Sequence, residues 1–555
     1  MKKTIYQVFT RLFCNPLPNC NPNGTIGENG CGKMDSFTQE ILNAIAGNGY
    51  TDIWFTGLLA HASQTDYRRH DIPASHPATV KGKAGSPYAV RDYYDIDPDL
   101  AVSVSDRMQE FQKLVDRVHA SGMHFIMDFV PNHVARQYHS SNLPEGVRDL
   151  GESDDENCEF SPQNNFYYFP GQTLGGEIDW QDYREYPARA TGNDRFNAYP
   201  GKCDWYETVK LNYGIDWRDG SRHFNPIPDT WIKMTDILLF WAAKGVDAFR
   251  CDMAEMVPVE FWHYAIRKVK AQFRKVEFIA EIYNPGSYSS YIEYGGFDWL
   301  YDKTGLYDTL RAIVEGRESA TAITRCWQAT GNNGSHMLHF MENHDEQRLA
   351  SDFFAGIAEK GMPAMIVSAF MDTCPVMIYS GQEVGERGMD QEGFSGLDGR
   401  TTIFDYWSPD TLRRLYNGGQ WNDELLTDRE RRLKGFYSTL LKACNTERAI
   451  SCGRFFDLMY VNPISDKFNP HKMYAFLRAD SRHAVLVTAN FSDKAAGIAV
   501  NIPQHAFDYL GLKEKNDCPL TDLLSGQTLR SDISPTRPLR VQVPAYSGVA
   551  LRWTL

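Results

Sequence analysis

The sequence predicts an α/β protein: a (β/α)8 TIM barrel with an inserted subdomain after strand 3 and a C-terminal all-β sandwich domain. Three observations support this prediction. Short apolar runs alternate with amphipathic stretches of helical period, one long segment lacks that period, and the C-terminal part alternates apolar and polar residues. Because each strand and its following helix return the chain to the same edge of a sheet, eight such units are expected to close into a parallel barrel.

Eight runs have the length and composition of buried parallel strands. They are Ile5–Phe9, Ile53–Thr56, Phe125–Val130, Ala248–Asp252, Phe278–Glu281, Trp299–Tyr301, His339–Met341 and Met377–Tyr379. Amphipathic stretches of helical period lie between them, for example Phe37–Ala46, Met108–Ala120, Trp231–Ala243 and Phe261–Phe273. The order of strands and helices therefore matches the repeated unit of a barrel.

Two segments interrupt the alternation and define the expected domains. Residues 1–134 and 229–444 form the predicted catalytic barrel. Residues 135–228, rich in Gly, Asn, Asp and aromatics, form an inserted domain over one end of the barrel. Residues 445–555 contain alternating runs separated by turn residues and are expected to form the sandwich.

Composition and charge exclude several classes of partner. The formal net charge is -14, which argues against nucleic acid and against an anionic membrane surface, since both attract clustered Lys and Arg. No run approaches the roughly 18 apolar residues of a transmembrane helix, and Ile5–Phe9 resembles a first strand more than a secretory signal. The eleven cysteines are an odd number and are scattered, so free thiols in a cytoplasmic protein are expected. Cys14, Cys20 and Cys31 share a loop but lack the paired spacing of a zinc site.

Four short polar runs follow strand-like segments in a fixed order. They are DFVPNH at Asp128–His133, FRCD at Phe249–Asp252, AEIY at Ala280–Tyr283 and ENHD at Glu342–Asp345. In a parallel barrel the carboxyl ends of all strands meet at one rim, where the active sites of such enzymes lie. Carboxylates converging there from separate strands repel one another unless an arginine, a proton or a substrate compensates.

These runs, in this order and spacing, resemble the conserved regions of the alpha-amylase superfamily, glycoside hydrolase family 13. Further segments resemble family motifs, namely Gly49–Gly57, Tyr88–Asp92, Val209–Asn212 and Pro375–Glu383. The resemblance extends over nearly the whole chain and implies the same three-part architecture. VKLN at Val209–Asn212 is similar to the motif of the intracellular neopullulanase and cyclomaltodextrinase branch, whose members degrade maltodextrins.

The resemblance assigns the catalytic groups to three carboxylates. It implies that Asp252 is the nucleophile, Glu281 the acid/base and Asp345 the third carboxylate, which binds sugar hydroxyls. The local sequence agrees, because Arg250 lies two residues from Asp252 on the same strand face and is expected to keep it ionised. Glu281 ends the apolar run FIAE, where burial favours its protonated form.

The remaining site residues also follow from the resemblance. Those expected to bind substrate are Tyr88, His133, Arg250 and His344. Those expected to support the site are Asp128, which would hydrogen-bond Arg250, and Lys210, which would bond Asn132. Aromatic residues of the insertion could stack on sugar rings, but most are expected to form the insertion's own core; they are Phe166, Tyr167, Tyr168, Trp180, Trp205, Tyr206 and Trp217.

Four positions depart from the family pattern. Glu255 and Met256 stand where many alpha-amylases have Lys-His, and Lys210 stands where those enzymes have a calcium-binding Asp. An ammonium group cannot bind calcium, so the cation site between barrel and insertion is expected to be replaced by Lys210. Met253 is neither the small residue usual in α-1,4 enzymes nor the valine common in α-1,6 enzymes. No cofactor is expected to be required, although the loop Asn15–Gly32 with Glu28 resembles a calcium loop, so a structural calcium ion is an open alternative there.

The sequence therefore predicts a cytoplasmic retaining α-glucan hydrolase acting on α-1,4 bonds of maltodextrins. A 4-α-glucanotransferase or an α-1,6-active glucosidase of the same family is the alternative, because these enzymes form the same covalent intermediate. A catalytically silent sugar-binding member is a remote alternative, since such proteins lose the catalytic carboxylates that this chain keeps. An α-glucan oligosaccharide is the expected partner, and the sequence leaves the oligomeric state open.

Overall fold

The computed structural model describes residues 1–555, and a closed barrel of eight parallel strands forms its centre. The strands are Thr4–Phe9 (β1), Asp52–Thr56 (β2), His124–Phe129 (β3), Ala248–Cys251 (β4), Glu277–Ala280 (β5), Trp299–Tyr301 (β6), Met337–Phe340 (β7) and Val376–Tyr379 (β8). Each strand pairs with its neighbours in chain order, and β8 closes the barrel against β1. The predicted fold class is confirmed.

Helices cover the outside of the barrel. The α-helices of the chain are Thr10–Phe13, Ile26–Asn29, Gln39–Gly47, Arg107–Ala120, Asp229–Ala243, Val259–Gln272, Asp308–Val314, Ala322–Thr330, Met362–Phe370, Asp410–Tyr416, Asp428–Thr446, Arg448–Ser451 and Gln504–Leu510. Several begin at polar caps; the Thr38 hydroxyl, for example, accepts a hydrogen bond from the amide of Ile41 at 3.3 Å. None of these helices combines the length and the hydrophobicity needed to cross a lipid bilayer.

The barrel interior is filled by apolar and aromatic side chains rather than left open. This inner core consists of Ile5, Trp54, Ile126, Ala248, Ile279, Tyr301, Tyr307, Leu338, Phe340 and Met377. A separate, larger core lies between the strands and the surrounding helices. Because both faces of each strand are buried, the strands have the nearly continuous apolar sequences from which they were predicted.

The insertion is a small irregular domain with its own core. Two short antiparallel pairs organise it: His133–Ala135 with Thr208–Lys210, and Tyr168–Phe169 with Ala188–Arg189. Most of the aromatic residues considered for sugar stacking pack within it, including Tyr167, Trp180, Tyr206 and Trp217. The first of the two pairs carries the insertion back to the rim of the barrel.

The C-terminal region contains a six-stranded antiparallel sheet and a two-stranded sheet. Its strands are Arg454–Asp457, Met473–Ala479, His483–Asn490, Ala496–Val500, Lys515–Asp522, Thr528–Ile533, Leu539–Val543 and Ser547–Thr554. The expectation of an all-β region omitted the short helix Gln504–Leu510. Arg478 joins this region to the barrel, because its guanidinium donates hydrogen bonds to the carbonyl oxygens of Met371 and Gly453, both at 2.7 Å.

Candidate active site

A cavity of about 280 Å³ opens at the carboxyl ends of the barrel strands. Its lining residues are Lys81, Ser86, Tyr88, His133, Trp205, Glu207, Thr208, Asp252, Met253, Glu281, Tyr283, Asp345, Ile403 and Phe404. The three predicted catalytic carboxylates thus meet in one concave site, at the rim where barrel enzymes place their chemistry. Of the predicted substrate-binding residues, Tyr88 and His133 line the cavity, whereas Arg250 and His344 do not.

Arg250 lies beneath the cavity and joins the carboxylates. Its guanidinium nitrogen Nη1 donates a 2.9 Å hydrogen bond to Asp252 Oδ1 and a longer one, 3.4 Å, to Asp128 Oδ1. Nη2 lies 2.8 Å from Glu281 Oε2, an ion pair without the alignment of a hydrogen bond. The register places Arg250 directly beside Asp128 of β3, so the supporting contact predicted for Asp128 is present. A fully buried arginine with three acidic neighbours fixes their positions from below.

Asp252 and Glu281 follow the last residues of β4 and β5, which are neighbouring strands. Glu281 Oε2 also accepts a 2.8 Å hydrogen bond from the amide of Met253, and its Oε1 accepts one from the hydroxyl of Tyr283. Met253 has a φ of 43°, in the left-handed region that non-glycine residues rarely adopt. Such local strain is concentrated at functional sites, and here it turns an amide toward Glu281.

The charge distribution differs from the sequence-based expectation. Burial raises the pKa of Asp252 well above its ordinary value, the Glu281 carboxylate raises it further, and the Arg250 guanidinium opposes both effects. The net shift of the Asp252 pKa is thus opposite in direction to the effect expected from Arg250, because Arg250 is shared with Glu281 and Asp128.

Asp345 and His344 follow the end of β7 and face different surroundings. The Asp345 side chain is 40% exposed and reaches the cavity. The His344 ring is buried below it, where Gln7 Nε2 lies 2.8 Å from Nδ1 and the Tyr88 hydroxyl bonds Nε2. Both ring nitrogens thus have protein partners, and burial lowers the pKa of His344 well below its ordinary value. His344 therefore supports Tyr88, whose ring stacks on it with the centroids 5.2 Å apart.

His133 also lines the cavity, close to the start of the insertion. Its ring contacts Trp205, with centroids 5.2 Å apart, and its Nδ1 lies 3.1 Å from Asn132 Nδ2. Burial lowers the pKa of His133 to about 3, and the Lys210 ammonium contributes in the same direction. The ring is therefore neutral and can form hydrogen bonds without adding charge to the site.

Lys210 occupies the predicted position between barrel and insertion. Its ammonium bonds Asn132 Oδ1, as expected, lies 2.6 Å from Asp194 Oδ1 and donates to the carbonyl of Met256 at 3.3 Å. Burial lowers the pKa of Lys210, and Asp194 opposes the effect. The acceptors that surround this ammonium group are oxygen atoms, the ligand type that calcium would otherwise use.

In the loop Asn15–Gly32, polar side chains are engaged in hydrogen bonds within the protein. The Glu28 carboxylate accepts hydrogen bonds from the amide and hydroxyl of Thr25 and thereby caps a short helix. Asn15 and Asn29 donate their side-chain amides to backbone carbonyl oxygens. No three His, Cys, Asp or Glu side chains in the protein converge as metal ligands would.

Sequence reasoning missed several cavity residues. No role was predicted for Tyr283, the last residue of the run AEIY, yet it contacts Glu281 directly. Lys81 and Glu207 form a 3.0 Å ion pair in the cavity wall, although they come from separate loops. Glu255 does not line the cavity, but it accepts hydrogen bonds from the amides of Tyr283 and Asn284, both at 3.0 Å. The sequence showed that Glu255 departs from the family pattern three residues after Asp252. It did not show that Glu255 would bind the amides of the neighbouring loop.

Three carboxylates that meet in a cavity at the carboxyl rim of a (β/α)8 barrel place this protein in the class of α/β-barrel enzymes. Residues 7–285 match the family profile "Alpha amylase, catalytic domain". The chain therefore belongs to the alpha-amylase family.

Similar proteins agree with this assignment. The alpha-amylase MalA of Haloarcula japonica is 24% identical over 389 residues, which is 69% of this chain and 44% of that protein. Neopullulanase 2 of Thermoactinomyces vulgaris is 21% identical over 398 residues, 69% of this chain and 56% of that protein. The chain thus spans about half the length of these relatives. The crystal structure of the maltogenic alpha-amylase AmyB from Thermotoga neapolitana has a TM-score of 0.63 at 19% identity and covers 100% of this chain and 99% of its own.

Proposed function

We propose that this protein hydrolyses α-1,4-glucosidic bonds of maltodextrins and starch-derived oligosaccharides with retention of configuration. The single observation that carries the proposal is that Asp252, Glu281 and Asp345 line one cavity, with Arg250 bridging the first two. Acetal hydrolysis with retention needs one carboxylate as nucleophile and one carboxylic acid that protonates the leaving group, held close together. Family membership supports the same reaction class.

In this proposal Asp252 attacks the anomeric carbon while Glu281 gives its proton to the leaving oxygen. The covalent glycosyl-Asp252 intermediate is then hydrolysed by a water molecule from which Glu281 takes a proton. One proton shared by the pair is sufficient, because a protonated Glu281 leaves Asp252 ionised beside Arg250. Asp345, Tyr88 and the neutral ring of His133 line the same cavity, and the proposal assigns them the binding of sugar hydroxyls and of the sugar ring.

No metal or other cofactor takes part in the proposed reaction. The ammonium group of Lys210 supports the cavity wall through Asn132, which is next to His133 in the chain. The cytoplasmic location is also proposed, and it is supported by the eleven unpaired cysteines, which suit a reducing compartment.

A 4-α-glucanotransferase is the second candidate, and an α-1,6-active glucosidase the third. The apolar part of the cavity wall favours the transferase, because Trp205, Met253, Ile403 and Phe404 would limit the access of water to the intermediate. All three candidates use the same carboxylates and differ in the acceptor or the linkage.

Product chromatography separates these candidates. The protein is incubated with maltotriose, longer maltodextrins, pullulan, cyclodextrin and isomaltose, and the products are followed over time. A hydrolase of α-1,4 bonds yields only products shorter than the substrate and leaves isomaltose intact. Products longer than maltotriose would identify a transferase, and cleavage of isomaltose an α-1,6 enzyme. Absence of any product, with the protein folded, would contradict the proposed function.

A further inference from the structure

Glu281 has three hydrogen-bond or ion-pair partners that are not equivalent. Oε2 faces the amide of Met253 and the guanidinium of Arg250, both at 2.8 Å. Oε1 faces the hydroxyl of Tyr283. An amide N–H and a guanidinium can only donate hydrogen bonds, whereas a phenol hydroxyl can donate or accept. Tyr283 is therefore the one of these partners that can adapt to both protonation states of Glu281.

We infer that Tyr283 is a further catalytic residue, which contacts the acid/base directly, and that Glu255 is the positioning residue that holds Tyr283 in place. The inference rests on the proposed role of Glu281. Because Oε2 faces donors only, the proton of the acid form lies on Oε1, where the Tyr283 oxygen accepts it. Tyr283 and Glu281 both line the cavity, so their contact lies at the cavity wall.

The hydroxyl of Tyr283 would reorient in each half-reaction. In the first, the Oε1 proton moves to the glycosidic oxygen, the C1–O bond breaks with its electron pair going to that oxygen, and an Asp252 oxygen bonds C1. Tyr283 then donates its hydrogen to the Glu281 carboxylate. In the second, Oε1 takes a proton from water, the water oxygen bonds C1, and Asp252 leaves with its electron pair. The Tyr283 oxygen then again accepts a hydrogen bond from the protonated Oε1 of Glu281.

Two features keep Tyr283 suited to this role. Burial raises the pKa of Tyr283 above its ordinary value, and the Glu281 carboxylate adds to the effect, so the phenol keeps its hydrogen. The second feature is Glu255, whose Oε2 accepts hydrogen bonds from the amides of Tyr283 and Asn284, both at 3.0 Å. Glu255 follows β4 and Tyr283 follows β5, so this carboxylate ties together the two loops that carry Asp252 and Glu281.

The first test is Tyr283→Phe, which removes one oxygen atom. A residue that serves a general acid matters for poor leaving groups and little for good ones. We expect kcat/KM on maltotriose to fall by roughly 10-fold to 100-fold, the range of one hydrogen bond to a charged group. On a dinitrophenyl α-maltoside, whose leaving group needs no proton, kcat/KM should change by less than about threefold, because kcat/KM reports only the steps up to the first bond cleavage. Equal losses on both substrates, or no loss on either, would overturn the inference.

Tyr291→Phe is the matched control. Its hydroxyl donates to the main-chain carbonyl oxygens of Val257, at 2.9 Å, and Glu255, at 3.4 Å, but it contacts neither the Glu255 carboxylate nor Glu281. Tyr291→Phe should leave the ratio of kcat/KM on maltotriose to kcat/KM on the dinitrophenyl α-maltoside unchanged. A ratio that changes as much as in Tyr283→Phe would show that any lost hydroxyl in this region has the same effect, and would contradict a specific role for Tyr283.

Glu255 is tested by two variants. Glu255→Gln keeps an oxygen that can accept both amides and should retain the wild-type ratio of the two substrates, whereas Glu255→Ala should reproduce the Tyr283→Phe pattern. In the double variant Glu255→Ala/Tyr283→Phe, the ratio of kcat/KM on the two substrates should change no more than in either single variant. The reason is that both substitutions remove the same contact between Tyr283 and Glu281. Additive losses would contradict the positioning role, and Glu255→Gln keeps the test valid if Glu255→Ala fails to fold.

Glu281→Gln, assayed in parallel, separates this inference from the proposed function. If Glu281→Gln retains activity on maltotriose, the proposed function fails whatever Tyr283 does. If Glu281→Gln is inactive on maltotriose while Tyr283→Phe is unimpaired on both substrates, only the inference about Tyr283 fails.

Discussion

The amide of Met253 donates a 2.8 Å hydrogen bond to Glu281 Oε2, so the residue that follows Asp252 holds the carboxylate on the neighbouring strand. The next amide, of Ala254, donates to the carbonyl oxygen of Glu281 at 3.1 Å. The loops after β4 and β5 are thus joined through both main chain and side chain. This arrangement depends on the left-handed conformation of Met253, which fixes Asp252 and Glu281 relative to each other.

The first prediction concerns the two carboxylates. Asp252→Ala and Glu281→Gln should each lower the hydrolysis of maltodextrins by at least about 10³-fold while the fold is retained, because each removes one half of a two-step displacement. Rates on maltodextrins and circular dichroism spectra check this. Azide then distinguishes the roles: Glu281→Ala with an activated α-maltoside should yield the α-glycosyl azide, whereas Asp252→Ala cannot form it through a covalent intermediate. Near-normal activity in either variant would refute the assignment.

The second prediction is stereochemical. The sugar released from an α-linked substrate should first appear as the α anomer. One guanidinium contacts both carboxylates, at 2.9 Å and 2.8 Å, which favours a short separation between them. Retaining enzymes hold these groups roughly 5 Å apart, too close for a water molecule to be activated opposite the leaving group. Proton NMR of freshly released product measures the anomer, and initial appearance of the β anomer would contradict a double displacement through Asp252.

The third prediction concerns metal dependence. Because the Lys210 ammonium bonds Asn132 and Asp194 where the sequence predicts that a lysine replaces a cation site, EDTA should leave kcat and KM almost unchanged. Thermal melts with and without EDTA should differ little, since Glu28 is engaged with Thr25. The measurement is activity and melting temperature before and after chelation. Complete inactivation that added calcium reverses would show that Lys210 does not replace the cation.

The fourth prediction concerns Glu392, in the loop after β8. Its side chain is buried, Oε2 has no hydrogen-bond partner, and burial raises the pKa of Glu392 to about 9. The unfolded chain ionises this group near 4.5. Between these two pH values the folded state binds more protons than the unfolded chain. The contribution of Glu392 to stability is therefore present below pH 4.5 and is lost as the pH rises toward 9.

Glu392→Gln removes this titration. Relative to the wild type, the variant should therefore gain stability on going from pH 5 to pH 8, by an amount of the order of 2–4 kcal/mol. Urea unfolding at the two pH values measures the change. Glu424→Gln, at an exposed position, is the control and should show no such dependence. A Glu392→Gln effect that is the same at both pH values would contradict the buried, protonated carboxyl group.

Much of the fold could be predicted because the relevant information is local. All eight barrel strands were predicted within one or two residues, since buried parallel strands have short apolar sequences and amphipathic helices separate them. The helix Gln504–Leu510 was missed, because seven residues between strands carry too little periodic signal. The domain limits at residues 134, 229 and 445 stay predictions, and the barrel helix Asp428–Thr446 continues past the last of them.

The sequence by itself determined which strand ends carry Asp252, Glu281 and Asp345, because strand order and the carboxyl rim follow from the repeated βα unit. Only the tertiary structure decided how these groups interact. Arg250 is shared among three carboxylates, Tyr283 turns toward Glu281, and His344 is buried against Tyr88, which is 256 residues away in the chain. Such contacts depend on side-chain orientation and on loops that meet only when the barrel closes. Burial in the closed site sets the charge of each group, and no local sequence pattern encodes that burial.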